Sequence, residues 1–431
     1  MSGAQTVVYD AAELVVGPAD ADETGPDTDT PADADATDAQ PQPLQVVENG
    51  AIAIQDGRIR RVGPTDAVLD EFPIEEAVHA IDARGRAVIP GFVDAHTHAL
   101  FAGDRSDEFA RKLRGTPYRQ ILAEGGGILR TVRAVRDASE DVLLAALRDT
   151  LDTMLAHGTT TVEIKSGYGL DVETERRMLS VIERAGAAHP VSVVPTFMGA
   201  HAVPEGQDPE TYVDSVISEQ IPAVADQGIA QFCDVFTEEG VFTVDQSRRV
   251  LESGMAAGMT PKVHAEELTH LGGAQLAAEV GAASADHLLH ATDEDIEALV
   301  DADVTPVLLP GTAFGLDAEY PVASRFFEAG APVAVATDFN PNCHSESMGF
   351  ALALACVECG MTPAQALLAG TRNGARALNL DDRGALRPGY RGDVVVLDAP
   401  SYVHVPYSYG VNRVETVIAG GRPVHGGAVD D

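Results

Sequence analysis

Short apolar runs alternate with longer stretches of helical pattern through the middle of the chain. The runs cover residues 88–93, 159–164, 191–197, 229–236, 261–264, 282–287, 304–308 and 332–336. Each is rich in β-forming side chains, the pattern of strands buried on both faces of a parallel sheet. Eight such strands with helices between them predict an α/β fold, a (β/α)8 TIM-like barrel over 88–379. The longest helical stretch is 139–156, with Ser139 placed to cap it and Gly158 to stop it. Shorter helices are expected over 108–113 and 117–123, in the loop after the first barrel strand. Strand pattern returns outside the barrel. It covers 6–16 and 45–63 before it, with Asp56-Gly57 as a hairpin turn, and 393–397, 414–418 and 422–425 after it, with Gly420-Gly421 as a tight turn. The expected division is therefore 1–87, 88–379 and 380–431.

Residues 18–43 break the pattern. They are mostly Asp, Ala, Thr and Pro, and too few apolar side chains are present to offset the entropy of ordering them. A disordered acidic loop is expected there. Acid is not confined to it: 67 Asp and Glu face 29 Lys and Arg, a net charge of −38. Lysine occurs only as Lys112, Lys165 and Lys262. Such a surface argues against nucleic-acid binding, which needs basic patches against phosphates. It suits high salt, where screening removes self-repulsion, and so a halophile's cytoplasm. No signal-peptide pattern follows Met1 and no apolar run is long enough for a bilayer, so no membrane partner is expected. The four cysteines, Cys233, Cys343, Cys356 and Cys359, are expected to stay reduced. Cys356-Val357-Glu358-Cys359 lies in a run that reads as a buried helix, and no second pair completes a zinc site.

The chemistry starts at Val88-Ile89-Pro90-Gly91-Phe92-Val93-Asp94-Ala95-His96-Thr97-His98. On an extended chain His96 and His98 point to the same side, so two imidazoles at one strand end can share a metal ion. This stretch resembles the first-strand signature of the amidohydrolase superfamily, metal-dependent hydrolases on a (β/α)8 barrel. Phe101-Ala102-Gly103-Asp104-Arg105, Glu163-Ile164-Lys165-Ser166-Gly167-Tyr168-Gly169, Gly199-Ala200-His201-Ala202-Val203-Pro204 and Asp338-Phe339-Asn340-Pro341 narrow the resemblance to members that open an imidazolone ring in histidine degradation.

The resemblance implies a small composite β-sandwich domain built from the N- and C-terminal strands. It implies that His264 and Asp338 join His96 and His98 as ligands of one divalent metal, zinc or iron, with room left for water. Binuclear relatives carry a bridging lysine on strand four, where this chain has none; Glu238 is the alternative carboxylate there. Glu267 matches an acidic residue that contacts substrate and moves a proton. His287 matches a histidine that orients water or steadies a developing oxyanion. Asp338 counts among the catalytic residues as well as the ligands. The implied reaction is hydrolysis of the ring amide of 4-imidazolone-5-propanoate to N-formimidoyl-L-glutamate. Its carboxylate tail needs a cation, and Arg105 is the candidate clamp. Tyr118, Tyr168, His201, Asn340, Asn342 and Cys343 complete the expected substrate contacts; many relatives carry Gly and Ser or Thr where Asn342 and Cys343 stand. A homodimer is the implied assembly. The competing readings are a deaminase of a heterocyclic base, which needs no carboxylate clamp, and a non-catalytic scaffold, which would lack ligands.

Overall fold

The structure, a computed structural model, describes residues 6–19, 44–117, 120–121 and 124–426. The expected loop over 18–43 therefore lies almost wholly outside the described residues, as does Tyr118 and part of the helix expected over 117–123.

The strands are β1 (Thr6–Pro18), β2 (Leu44–Gln55), β3 (Arg58–Pro64), β4 (His79–Asp82), β5 (Val88–Pro90), β6 (Phe92–Asp94), β7 (Thr159–Lys165), β8 (Ser192–Ala200), β9 (Phe232–Thr237), β10 (Thr260–Ala265), β11 (Ser284–His287), β12 (Thr305–Leu308), β13 (Ala334–Val335), β14 (Val394–Leu397), β15 (Val414–Ala419) and β16 (Arg422–His425). β6 to β13 pair in chain order, each parallel to the next. The ring is drawn together past its strand ends. The His98 N–H donates to the Phe339 carbonyl at 2.9 Å and the Asp338 N–H to the His96 carbonyl at 3.1 Å. β7 is buried at every residue, as the unbroken apolar pattern of a doubly covered strand requires. The helix Glu140–Ala156 packs outside it. Its N-cap Ser139 accepts a hydrogen bond from the Val142 N–H, and the chain leaves it through Gly158 at φ +90.

The remaining strands form a separate mixed sheet in the order β16-β15-β14-β5-β1-β2-β3, with β4 added beside β1. It folds around its own core of Val8, Leu14, Ile52, Ile54, Val88, Val394 and Ile418. The β2–β3 turn has both central residues at positive φ, Asp56 at +54 and Gly57 at +73, as a tight primed hairpin demands.

One expectation changes. The run 88–93 is not a single strand but two, one in each sheet. β5 pairs with β14 and β1, whereas β6 starts the barrel. Gly91 is the corner: its N–H donates to the Asp393 carbonyl at 3.0 Å, and a Cβ there would stand 2.3 Å from Thr160 Oγ1. Only glycine leaves room here for the Thr160 side chain. The apolar count could not show this, because both halves are equally buried.

Candidate active site

His96 and His98 follow β6, His264 lies on β10 and Asp338 follows β13, so all four sit at the C-terminal mouth of the barrel. One ring nitrogen from each of the three histidines lies within 4.8 Å of the others. His98 Nε2 and His264 Nε2 are 3.3 Å apart. Asp338 Oδ1 is 3.5 Å from His96 Nε2 and 3.6 Å from His98 Nε2. His96 Nε2 and Asp338 Oδ1 are buried without a hydrogen-bond partner among the described residues. Burial holds His96 and His98 far below the usual imidazole range, hence neutral, the form that ligates a metal. Three imidazoles and one carboxylate, with unsatisfied atoms converging on one point, fit a divalent metal such as zinc or iron. Asp338 Oδ2 is held separately by the Thr312 hydroxyl.

Two further carboxylates hold the rings. His96 Nδ1 is 2.6 Å from Asp286 Oδ2, and His264 Nδ1 is 3.1 Å from Asp234 Oδ1. Each carboxylate accepts the Nδ1 proton and so turns Nε2 toward the shared centre. The sequence reading passed over both. The signal available was a lone acid inside an apolar strand, Cys233-Asp234-Val235 on β9 and Ala285-Asp286 on β11, since a fully buried acid needs a partner.

Beneath them lies a layer of buried charge. Lys165 Nζ is 2.7 Å from Asp234 Oδ2 and 2.8 Å from Glu163 Oε1. Lys262 Nζ donates to the Ala95 carbonyl at 2.8 Å and is 3.6 Å from Asp286 Oδ2. Burial alone would lower the Lys165 ammonium, but Asp234, Glu163 and Asp286 outweigh it and hold its pKa raised. Lys165 stands on the second barrel strand and is committed to these ion pairs.

On the rim, Glu267 Oε2 is 3.7 Å from His287 Nε2. Burial, then repulsion from Asp338 and Glu238, pushes the Glu267 carboxyl up to about 8. Both ring nitrogens of His287 are buried and without a hydrogen-bond partner among the described residues. Glu266, His287 and Asp338 take positive φ of +55, +84 and +50, so the barrel strands turn sharply at these ends. Glu238, weighed as a hidden ligand, is spent elsewhere. It accepts from the Leu268 N–H at 2.9 Å and from the Thr269 N–H and hydroxyl, and so holds the loop behind Glu267. His201 stacks on His98 with ring centres 4.6 Å apart, its Nδ1 bonded to the Gly167 carbonyl, and Tyr168 lies 5.8 Å from the His98 ring.

Arg105, Asn342 and Cys343 are grouped differently. They line a cavity of about 460 Å³ with Phe101, Phe109 and Phe314. Its wall residue Gly311 precedes Thr312, the partner of Asp338, so the cavity adjoins the histidine–carboxylate cluster. Arg105 Nε donates to Glu108 Oε2 at 2.9 Å. Asn342 Oδ1 accepts from Lys112 Nζ at 2.9 Å. Cys343 Sγ points to the Thr337 carbonyl. Asn340 is withdrawn from the expected pocket floor: its side chain donates to the Asp338 carbonyl and accepts from the Asn342 and Cys343 N–H groups, shaping the loop.

Comparison with known proteins follows the same lines. Residues 87–424 match the model of the amidohydrolase family, and residues 50–73 match an imidazolonepropionase-like composite domain of bacteria. The chain is 66% identical over 425 residues to the imidazolonepropionase of Haloarcula marismortui, covering 98% of this chain and 97% of that one. It is 58% identical to the imidazolonepropionase of Halobacterium salinarum, over 99% of each. The imidazolonepropionase of Geobacillus kaustophilus is 49% identical, over 88% of this chain and 91% of its own. Among solved structures, a zinc-bound adenosine deaminase from Xanthomonas campestris superposes with a TM-score of 0.72 at 18% identity, covering 99% of this chain and 94% of its own. The guanine deaminase of E. coli gives 0.69 at 15% identity, over 98% and 99%. These two share the fold.

Proposed function

The chain belongs to the imidazolonepropionase family of amidohydrolases, and on that premise we propose that it opens the ring amide of 4-imidazolone-5-propanoate to N-formimidoyl-L-glutamate in histidine degradation. The observation that carries this reading is the pairing of a three-histidine, one-carboxylate cluster with an adjoining cavity lined by Arg105. A deaminase of a neutral base needs the first feature but not the second.

His96, His98, His264 and Asp338 would hold one divalent metal, zinc or iron. Such an ion supplies Lewis acidity and brings the pKa of bound water to around 7. The chain's own residues do the rest. Asp286 and Asp234 keep His96 and His264 in the ligating tautomer. Water gives a proton to Asp338 as it adds to the ring carbonyl carbon, the carbon–nitrogen bond breaks, the leaving nitrogen takes a proton, and the proton on Asp338 then passes back to the donor. Glu267, whose carboxyl is raised by burial and by its acidic neighbours, donates that proton. His287 supports the developing charge on the carbonyl oxygen. Arg105 binds the propionate and so holds the ring carbonyl at the cluster. Tyr168 and His201, packed beside His98, border the ring. The surface charge of −38 suits a halophile's cytoplasm. No helix among the described residues is long and apolar enough to cross a membrane.

The test is loss of the imidazolone ultraviolet absorbance by purified protein in molar KCl, with guanine and cytosine in parallel. Rapid loss, abolished by chelator and restored by zinc or iron, supports the reading. Turnover of a base with an untouched imidazolone overturns it.

A further inference from the structure

A second cation stands behind the wall of the cavity that Arg105 lines. Lys112 stands seven residues on, at the other end of the helix Ser106–Leu113. Its Nζ donates to Asn342 Oδ1 at 2.9 Å and to the Gly315 carbonyl at 3.3 Å, and both acceptors belong to residues of the cavity wall. Neither acceptor is charged, so this partly buried ammonium has been given two neutral dipoles in place of a carboxylate. Glu108, the buried acid nearby, is already shared by Arg105, the Gly127 N–H and Arg130. Asp104, on the same wall, is exposed and turned to the Ser106 N–H. The Lys112 ammonium is therefore left without a carboxylate in direct contact, beside a cavity that Arg105 lines.

The placement is selective. This chain has three lysines. Lys165 and Lys262 are fully buried under the ligand cluster, and Lys112 is at the cavity. Every other cation is an arginine. A compact ammonium with rotatable donors can swing from a neutral acceptor to an incoming anion, which the fixed fork of a guanidinium does less readily. Burial and then the nearby Arg105 charge lower the Lys112 pKa and outweigh Glu108, which raises it.

We propose that Lys112 is a second cation for the carboxylate of the substrate, acting beside Arg105, and that Asn342 Oδ1 holds its ammonium in place while the cavity is empty of anion. This deepens the reading given under Proposed function and rests on it. It also gives Asn342 a task for its side chain: to park Lys112 rather than to touch the ring. The ligand class is a short aliphatic carboxylate attached to a planar ring or to a second carboxylate.

The experiment uses the full chain, metal-loaded, in molar KCl, with Lys112→Met and Lys112→Arg. Glutarate is the binding probe, read by calorimetry, and the substrate is compared with its propionamide analogue. Loss of one charge-assisted contact should weaken glutarate and raise KM for the acid by about tenfold to hundredfold in Lys112→Met. The value of kcat should stay within about threefold, and KM for the amide should not move, since uniform binding alone is lost. Lys112→Arg, which keeps the charge but not the swinging ammonium, should restore only part of the affinity. Equal KM changes for acid and amide would reduce Lys112 to a structural latch and overturn the proposal, as would wild-type protein that binds no glutarate. If imidazolonepropionate is not turned over but glutarate binding still depends on Lys112, the substrate reading fails while the cation site stands.

Discussion

Replacing Lys165 by methionine removes one ammonium from a layer with no solvent-exposed surface. Lys165, Glu163, Asp234 and Asp286 are all fully buried. After the change, Asp286 keeps Lys262 at 3.6 Å and Glu163 keeps it at 4.0 Å, but Asp234 keeps His264 and the Val235 N–H and has no ammonium. Breaking a buried ion pair by removing one partner costs about 3–5 kcal/mol, because a charge is left without compensation. Two contacts at 2.7 and 2.8 Å are lost together, and they share one cation, so that range is not doubled. The measurement is urea unfolding in molar KCl, on metal-stripped and metal-loaded protein. The deficit should also depend on pH. Asp234 is held well below its ordinary 3.8, with His264 and then Lys165 outweighing the opposing effect of burial. A lowered carboxylate contributes stability that is present above its unfolded pKa and lost as pH falls through the folded one. The gap between wild type and variant should therefore be widest above about pH 4 and shrink in acid. A deficit under about 1 kcal/mol at neutral pH would refute the buried-layer argument and place water among these groups.

Two further outcomes are expected. Asp286→Asn should weaken metal binding by about tenfold to hundredfold, read by competition with a chromogenic chelator, because the His96 ring loses the acceptor at 2.6 Å that orients it; unchanged affinity would show that packing alone fixes the ring. Glu267→Gln should lower kcat by about 10²–10⁴. In the wild type, turnover should fall as pH rises through the Glu267 pKa, which lies near 8 before a metal's charge draws it down, and the variant should lose that limb; a variant with intact kcat would take proton transfer away from Glu267.

The barrel was legible because parallel strands are buried on both faces, so eight short apolar runs stand out against amphipathic helices. The cluster at the barrel mouth was legible for a related reason: His96, His98, His264 and Asp338 interrupt or end those runs with chemistry that the runs do not need. What stayed hidden depends on contacts across the barrel. Asp234 and Asp286 are 30 and 190 residues from the histidines they hold, a pairing without local spacing. Glu238 looked like a ligand from its place after β9, yet its oxygens face backbone N–H groups of the next loop. Asn340 looked like pocket floor, yet an Asn two residues before a turn readily bonds the backbone beyond it. Lys112 sat in a helix whose inner face could not be told from sequence.

The corner at Gly91 joins the two sheets and precedes the ligand strand, so it offers a test of how the small sheet bears on the site. In Gly91→Ala the new Cβ would stand 2.3 Å from Thr160 Oγ1, 2.5 Å from Cγ2 and 2.9 Å from Cβ. Something must move, and Thr160 belongs to β7, pinned by its parallel pairing with β6 and β8. Overpacking of this kind costs about 1–3 kcal/mol. Because His96 lies five residues past the corner, displacement of β6 should also lower metal affinity. Thr160→Ala removes the two closest atoms and leaves the third. It should therefore restore part of the stability and of the metal affinity of Gly91→Ala, while costing the wild type little. The double-mutant cycle isolates that coupling. Additive losses would mean that the clash is relieved elsewhere, and full metal affinity in Gly91→Ala would mean that the ligand strand is anchored by the barrel alone.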